Sequence, residues 1–161
     1  MKKLIILLGI VIGITSMLVA FTASAQTQPE NVHPMKLNAG IITPKLKESR
    51  EFYTRVLNFG VTFENEFYLL LHTPGRQAEV AFMLPDHASQ QPLFQPAFGG
   101  KGIFLTIEVT DVDAEYKRIK ALGIPIAIAL RDEPWGDRHF AIVDPNGVGI
   151  DLVKYTQPAG Q

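Results

Sequence analysis

The chain has 161 residues, 47% of them hydrophobic and 19% charged, with a formal net charge of −1 and no cysteine. That length supports one domain with a sizeable core, and the balance excludes a disordered chain or a multi-span membrane protein. The lack of any Lys/Arg cluster argues against nucleic acid as a partner, and the lack of cysteine closes disulfides, thiol nucleophiles and thiolate metal sites.

The N-terminus opens with Lys2-Lys3, continues through the apolar run LIILLGIVIGITSMLVAF and reaches Ala23-Ser24-Ala25. A basic start, an apolar stretch and small residues at alternating positions predict a secretory signal over 1–25, cleaved after Ala25. The competing reading is an uncleaved anchor, because the run is nearly long enough to span a bilayer. A cleaved signal implies a periplasmic or extracellular protein with no membrane contact after its removal. Residues 26–35 contain two prolines and no periodicity and read as a linker. The domain is expected over 36–155, with modules at about 36–85 and 101–155 and a loose tail over 156–161.

Within the domain, KLNAGII alternates Leu37, Ala39 and Ile41 against Asn38, Gly40 and Ile42, which predicts a strand. A helix follows, with Leu46, Tyr53, Val56 and Leu57 as its apolar stripe, Thr43 as cap and Pro44 in the first turn. Gly60 is expected to end it in a left-handed conformation. VTFEN, FYLLLH and EVAFMLP then read as three strands. Gly99-Gly100 follows no strand and opens no helix, so it is a hinge and not a phosphate loop.

The second half repeats the first. YKRIKALGI at Tyr116–Ile124 superposes without gaps on YTRVLNFGV at Tyr53–Val61, Tyr, Arg and Gly matching. GIFLTIEV places Ile103, Leu105, Ile107 and Val109 on one face and Phe104, Thr106 and Glu108 on the other. The next helix carries Val112, Tyr116 and Ile119 on one side, with Thr110-x-x-Asp113 as a capping-box-like start and Gly123 at its end. IPIAIAL, RHFAIV and VGIDLV supply three more strands, the last two joined by Asp144-Pro145-Asn146-Gly147, a turn sequence. Each half is thus strand–helix–strand–strand–strand. The expected fold is α+β: two βαβββ modules forming an eight-stranded, cleft-enclosing sheet with helices on the outside.

ESREFYTRVLNFGV, IEVTDVDAEYKRIKALGI and DPNGVGIDLV, in this order, resemble the vicinal oxygen chelate superfamily of glyoxalase I, extradiol dioxygenases and bleomycin-resistance proteins. The resemblance covers Lys36 to Tyr155. It implies a divalent metal held by one residue from each of four strand positions, which fall here on Asn38, Phe82, Phe104 and Asp151. Phe is no ligand and Asn a poor one, so only Asp151 could coordinate, and no metal or other cofactor is expected. What remains is similar to the family's metal-free binding members. The loop EPWGDRHF is then expected to bring Trp135 to the rim of a groove, where its ring stacks on a ligand.

The expected ligand-binding residues are therefore Asn38, Phe82, Phe104, Glu108, Trp135, Arg138 and Asp151, and the expected partner is a small aromatic or amphipathic molecule. A homodimer accords with the resemblance. Several of these residues also have structural readings. Trp135 could cap the end of the sheet, Phe82 and Phe104 could fill the core, Asp151 could pair with Asn38 or an arginine, and Arg138 could serve the Asp144 or Asp137 region. His139, one residue further along the strand, must face the side opposite Arg138. Asp86-His87 lacks a nucleophile to serve. The alternative function is a lyase, isomerase or dioxygenase-like enzyme with atypical ligands, or with acid–base chemistry through Asp151 and Glu108.

Overall fold

The computed structural model describes residues 35–156, so the predicted signal, most of the linker and nearly all of the tail lie outside the described residues. Residues 36–156 form one compact unit. Its first module contains β1 (Asn38–Ile42), α1 (Leu46–Val56), β2 (Gly60–Glu64), β3 (Tyr68–His72) and β4 (Glu79–Met83). A short 3-10 turn at Pro92–Phe94 lies in the connection to the second module. There β5 (Phe104–Glu108), α2 (Val112–Ala121), β6 (Ile128–Asp132), β7 (Asp137–Val143) and β8 (Gly149–Tyr155) follow in the same order. The α+β class and the two βαβββ modules are as the sequence reads. The eight strands divide into two sheets of four, β1-β4-β3-β2 and β5-β8-β7-β6. In each, the first and last strands pair in parallel and the remaining pairs are antiparallel.

The helix boundaries differ in detail from the sequence pattern. Asp111, not Thr110, caps α2, its side chain accepting from the Ala114 amide at 2.9 Å. That leaves Asp113 free for another partner. Gly123 does take a left-handed φ of +74° after α2, where glycine has no Cβ to clash. After α1 the left-handed residue is Asn58, at φ +57°, and Gly60 begins β2. Gly60 is crowded for another reason: a Cβ there would lie 2.3 Å from the His72 ring, which would have to shift.

Each helix covers one face of its own sheet. Ile41, Leu69, Leu71, Val80 and Phe82 bury themselves with Tyr53 and Val56 of α1; Phe140, Ile142, Ile150 and Leu152 do so with Val112 and Ile119 of α2. Both sets belong to one hydrophobic cluster. Each such side chain contributes about 1.5–3 kcal/mol by leaving water.

A polar latch completes the join between the modules. The Asp144–Gly147 turn comes against α1, and Asp144 accepts from its own turn's Asn146 and Val148 amides, both at 2.8 Å. The buried Tyr53 hydroxyl donates to the same carboxylate at 3.2 Å. Burial pushes the Tyr53 pKa well up from its ordinary value, and the charge and hydrogen bond of Asp144 add to the rise. Asn146 bonds Thr43 at 2.7 Å and Ser49 at 2.9 Å. At the other end of α1, Arg118 of α2 donates to the Val56 carbonyl at 2.7 Å. Among the described residues every buried side-chain polar atom has a partner, as a stable interior demands.

Candidate functional site

Among the described residues no helix covers the other face of either sheet, and strand register decides what stands there. In the second sheet Phe104 lies opposite Gly149, Thr106 opposite Asp151 and Glu108 opposite Val153. Phe104, Glu108 and Asp151 thus share one face, and Phe104 is 71% exposed. A large aromatic so exposed on a strand lacks a covering partner among the described residues. Trp135, in the β6–β7 loop, is 63% exposed and its indole N–H donates to Asp137 at 2.8 Å. Capping the sheet end would bury it, so that structural reading fails. Asn38 stands on the open face of the first sheet, beside Glu79.

Two expected site residues point the other way. Phe82 is fully buried, its ring 5.0 Å from that of Tyr53 under α1; it is core and cannot line a cleft. Its register partner is Ile41, also buried. Arg138 also faces the helix side. Its guanidinium donates twice to Asp113 of α2, at 2.9 and 2.8 Å, and once to Asp132 at 2.8 Å. These partners replace the Asp144 or Asp137 region expected for it. They also explain why Asp113 does not cap its helix.

With Arg138 on the helix side, alternation brings His139 to the open face. Its Nδ1 lies 2.7 Å from Asp151 Oδ1 and its Nε2 lies 3.3 Å from Glu133 Oε1, which also accepts from Arg131. A chain of hydrogen-bonded groups therefore runs Asp151–His139–Glu133–Arg131, and His139, not Asn38 or an arginine, is the partner of Asp151. Burial lowers the His139 pKa, but the hydrogen bonds and charges of Asp151 and Glu133 outweigh it, and the net shift is upward. A folded-state value raised above the unfolded one adds stability that is complete below the ordinary histidine pKa of about 6.5 and is lost as pH climbs through the raised value. The expected result is that His139→Gln lowers the melting temperature more at pH 6 than at pH 9. Equal losses at both, by thermal denaturation, would mean that the ring is held by packing alone.

Glu79 was also hidden in the sequence. It bonds Lys36 at 2.7 Å and Thr62 at 3.1 Å, and the Lys36 contact in particular holds its carboxyl below the usual range. The metal expected for the family does not fit these groups. One oxygen of Asp151 is committed to His139, Glu79 serves Lys36, and Phe104 has no donor atom. Among the described residues no three His, Asp or Glu side chains are grouped to hold an ion. Asp86-His87 is accounted for without chemistry: the His87 ring stacks on Phe67 at 3.9 Å and bonds Ser89 at 2.8 Å.

Two βαβββ modules with matching strand order, an open aromatic and acidic face and a shared core define the class. Residues 33–152 match the model of the Glyoxalase/Bleomycin resistance protein/Dioxygenase superfamily, and the chain belongs to that family. An uncharacterized protein of Mycobacterium bovis is 33% identical over 82 residues, covering 48% of this chain and 54% of that relative. The chain thus spans about half the length of the curated relatives it matches. A glyoxalase/bleomycin resistance protein/dioxygenase from Nocardioides superposes with a TM-score of 0.65 at 21% identity, covering 81% of this chain and 91% of that one. An antibiotic binding protein from a Streptomyces species superposes with a TM-score of 0.63 at 18% identity, covering 78% and 99%. Identities this low speak for the fold alone.

Proposed function

We propose that this chain is an exported, metal-free binding protein of the glyoxalase/bleomycin-resistance type that sequesters an aromatic or amphipathic small molecule. The observation that carries the reading is the open face of the second sheet, which an exposed Phe104 ring shares with the Asp151 and Glu108 carboxylates. An aromatic surface with a few placed polar groups is the usual lining of a small-molecule site. Trp135 offers a second exposed ring near the end of the same sheet, and Asn38 adds an amide from the first sheet. An antibiotic binding protein of the same fold gives the reading a precedent.

In one chain these faces are open, so we assign the closed cleft to a homodimer in which a second copy covers them. Export is assigned from the Lys2-Lys3, apolar run and Ala23-Ser24-Ala25 pattern alone. The enzymatic alternative is disfavoured by the tether of Asp151 to His139, which removes one oxygen of the candidate base.

Screening the protein against a panel of aromatic antibiotics by thermal shift and Trp135 fluorescence tests the proposal. At least one compound should raise the melting temperature, and Phe104→Ala should weaken it about tenfold, the loss of roughly one aromatic stacking contact. No response across the panel, or stoichiometric metal retained through purification and released by Asp151→Ala, would reverse it.

A further inference from the structure

Along the outer edge of β5, between the two modules, runs a groove of about 520 Å3. Leu57, Phe59, Pro74 and Ala78 of the first module form one wall, and Ile107 and Val109 form part of the other. Five consecutive residues, Thr106 to Thr110, line it. Side chains of consecutive strand residues point to opposite faces, so a groove touching all of them meets the edge of the strand.

Among the described residues that edge is unpaired. β5 is the outer strand of its sheet, with β8 on its inner side. The Val109 amide donates to the Val153 carbonyl at 2.8 Å. Main-chain groups alternate in direction along a strand, so those of Ile107 also serve β8 and those of Thr106 and Glu108 turn outward. The corresponding edge of β1 differs, because the Phe98 amide reaches the Ile42 carbonyl at 2.8 Å. Among the described residues no backbone group does this for Thr106 or Glu108.

The two faces flanking this edge differ in chemistry. On the helix side of the strand stand Ile107 and Val109, and the facing wall adds the apolar Leu57 and Phe59 together with the polar Asn58, Thr73 and Gln77. On the open side Glu108 is exposed and makes no ion pair among the described residues. The other rim carboxylates are occupied, Asp111 by capping α2 and Glu115 by Arg118. A strand laid against β5 would therefore meet the apolar Ile107 and Val109 on one face and a lone carboxylate on the other.

We propose that the groove binds a short extended peptide of alternating apolar and basic residues, which adds a fifth strand beside β5. Its main chain pairs with the outward N–H and C=O groups of Thr106 and Glu108. Its apolar side chains enter the wall of Leu57, Phe59, Ile107 and Val109, and a Lys or Arg lies cross-strand from Glu108. Edge pairing supplies the affinity and the alternate side chains supply the selectivity. This site adjoins the Phe104 face, with which it shares Glu108 at the strand edge, and takes a different class of ligand.

The test is fluorescence anisotropy of the full chain with a labelled, end-blocked Val-Lys-Val-Lys-Val peptide and its Val-Glu-Val-Glu-Val counterpart. The lysine peptide should bind saturably and the glutamate peptide about tenfold more weakly, the scale of one cross-strand ion pair replaced by a like-charge repulsion. Ala78→Trp, at an exposed position, should fill the groove and weaken the lysine peptide about tenfold at an unchanged melting temperature. Glu108→Gln should abolish the preference between the peptides. Phe104→Ala should leave peptide binding intact while reducing any small-molecule response, which separates this site from the sequestering face. Failure of the lysine peptide to bind, or binding indifferent to Ala78→Trp, overturns the proposal. So does affinity that falls as protein concentration rises, because a second copy would then own the edge.

Discussion

Phe82→Ala is expected to lower the free energy of unfolding by about 3–5 kcal/mol in a urea titration. The ring is fully buried against Tyr53 and pairs in register with buried Ile41, so its removal leaves a void beneath α1. Small-molecule binding at the open face should be retained. Phe104→Ala is the mirror case: its exposed ring should cost no more than about 0.5 kcal/mol of stability, the usual range for a surface substitution. If instead Phe82→Ala left the urea midpoint in place and removed ligand binding, the placement of the first sheet's two faces would be reversed.

Asp144→Ala should cost about 3 kcal/mol, because it removes several hydrogen bonds to a buried charged group at once. The turn amides of Asn146 and Val148 lose their acceptor, and the Tyr53 hydroxyl is left without one in the interior. Tyr53→Phe removes only the last of these and should cost about 1 kcal/mol. Asp144→Asn should fall between them, since one carbonyl oxygen remains. A loss for Asp144→Ala no greater than that of Tyr53→Phe would mean that water serves both turn amides.

The duplicated architecture was legible because the Tyr53–Val61 and Tyr116–Ile124 segments repeat in wording as well as pattern, and the strands and helices around them repeat in order. The sides of β5 were legible too, since LTIEV alternates cleanly and its polar members can only face outward. The phase of β4 was not. Val80, Ala81 and Phe82 are all buried, and a continuous apolar run carries no information about which residues face a helix. The misplacement of Phe82 concealed Glu79, whose partner Lys36 lies 43 positions earlier. For Arg138 and His139, alternation fixed that they oppose each other but not which faces the site. Acidic groups wait on both sides, Asp113 on α2 and Asp151 on β8. The choice rests on a helix 25 positions upstream, beyond any local pattern. Gly60 reads as a helix stop because its crowding by His72 exists only across the β2–β3 pair.

The latch between α1 and the last hairpin bears on the timing of assembly. Thr43, Ser49 and Tyr53 lie 91 to 103 positions before the groups that satisfy them. During synthesis the early helix must therefore wait, its inward hydroxyls still hydrated, until nearly the whole domain has left the ribosome. Long-range closure of this kind slows folding. The β7–β8 hairpin acts as a seal: only once its turn is seated can the hydroxyls around α1 give up their water.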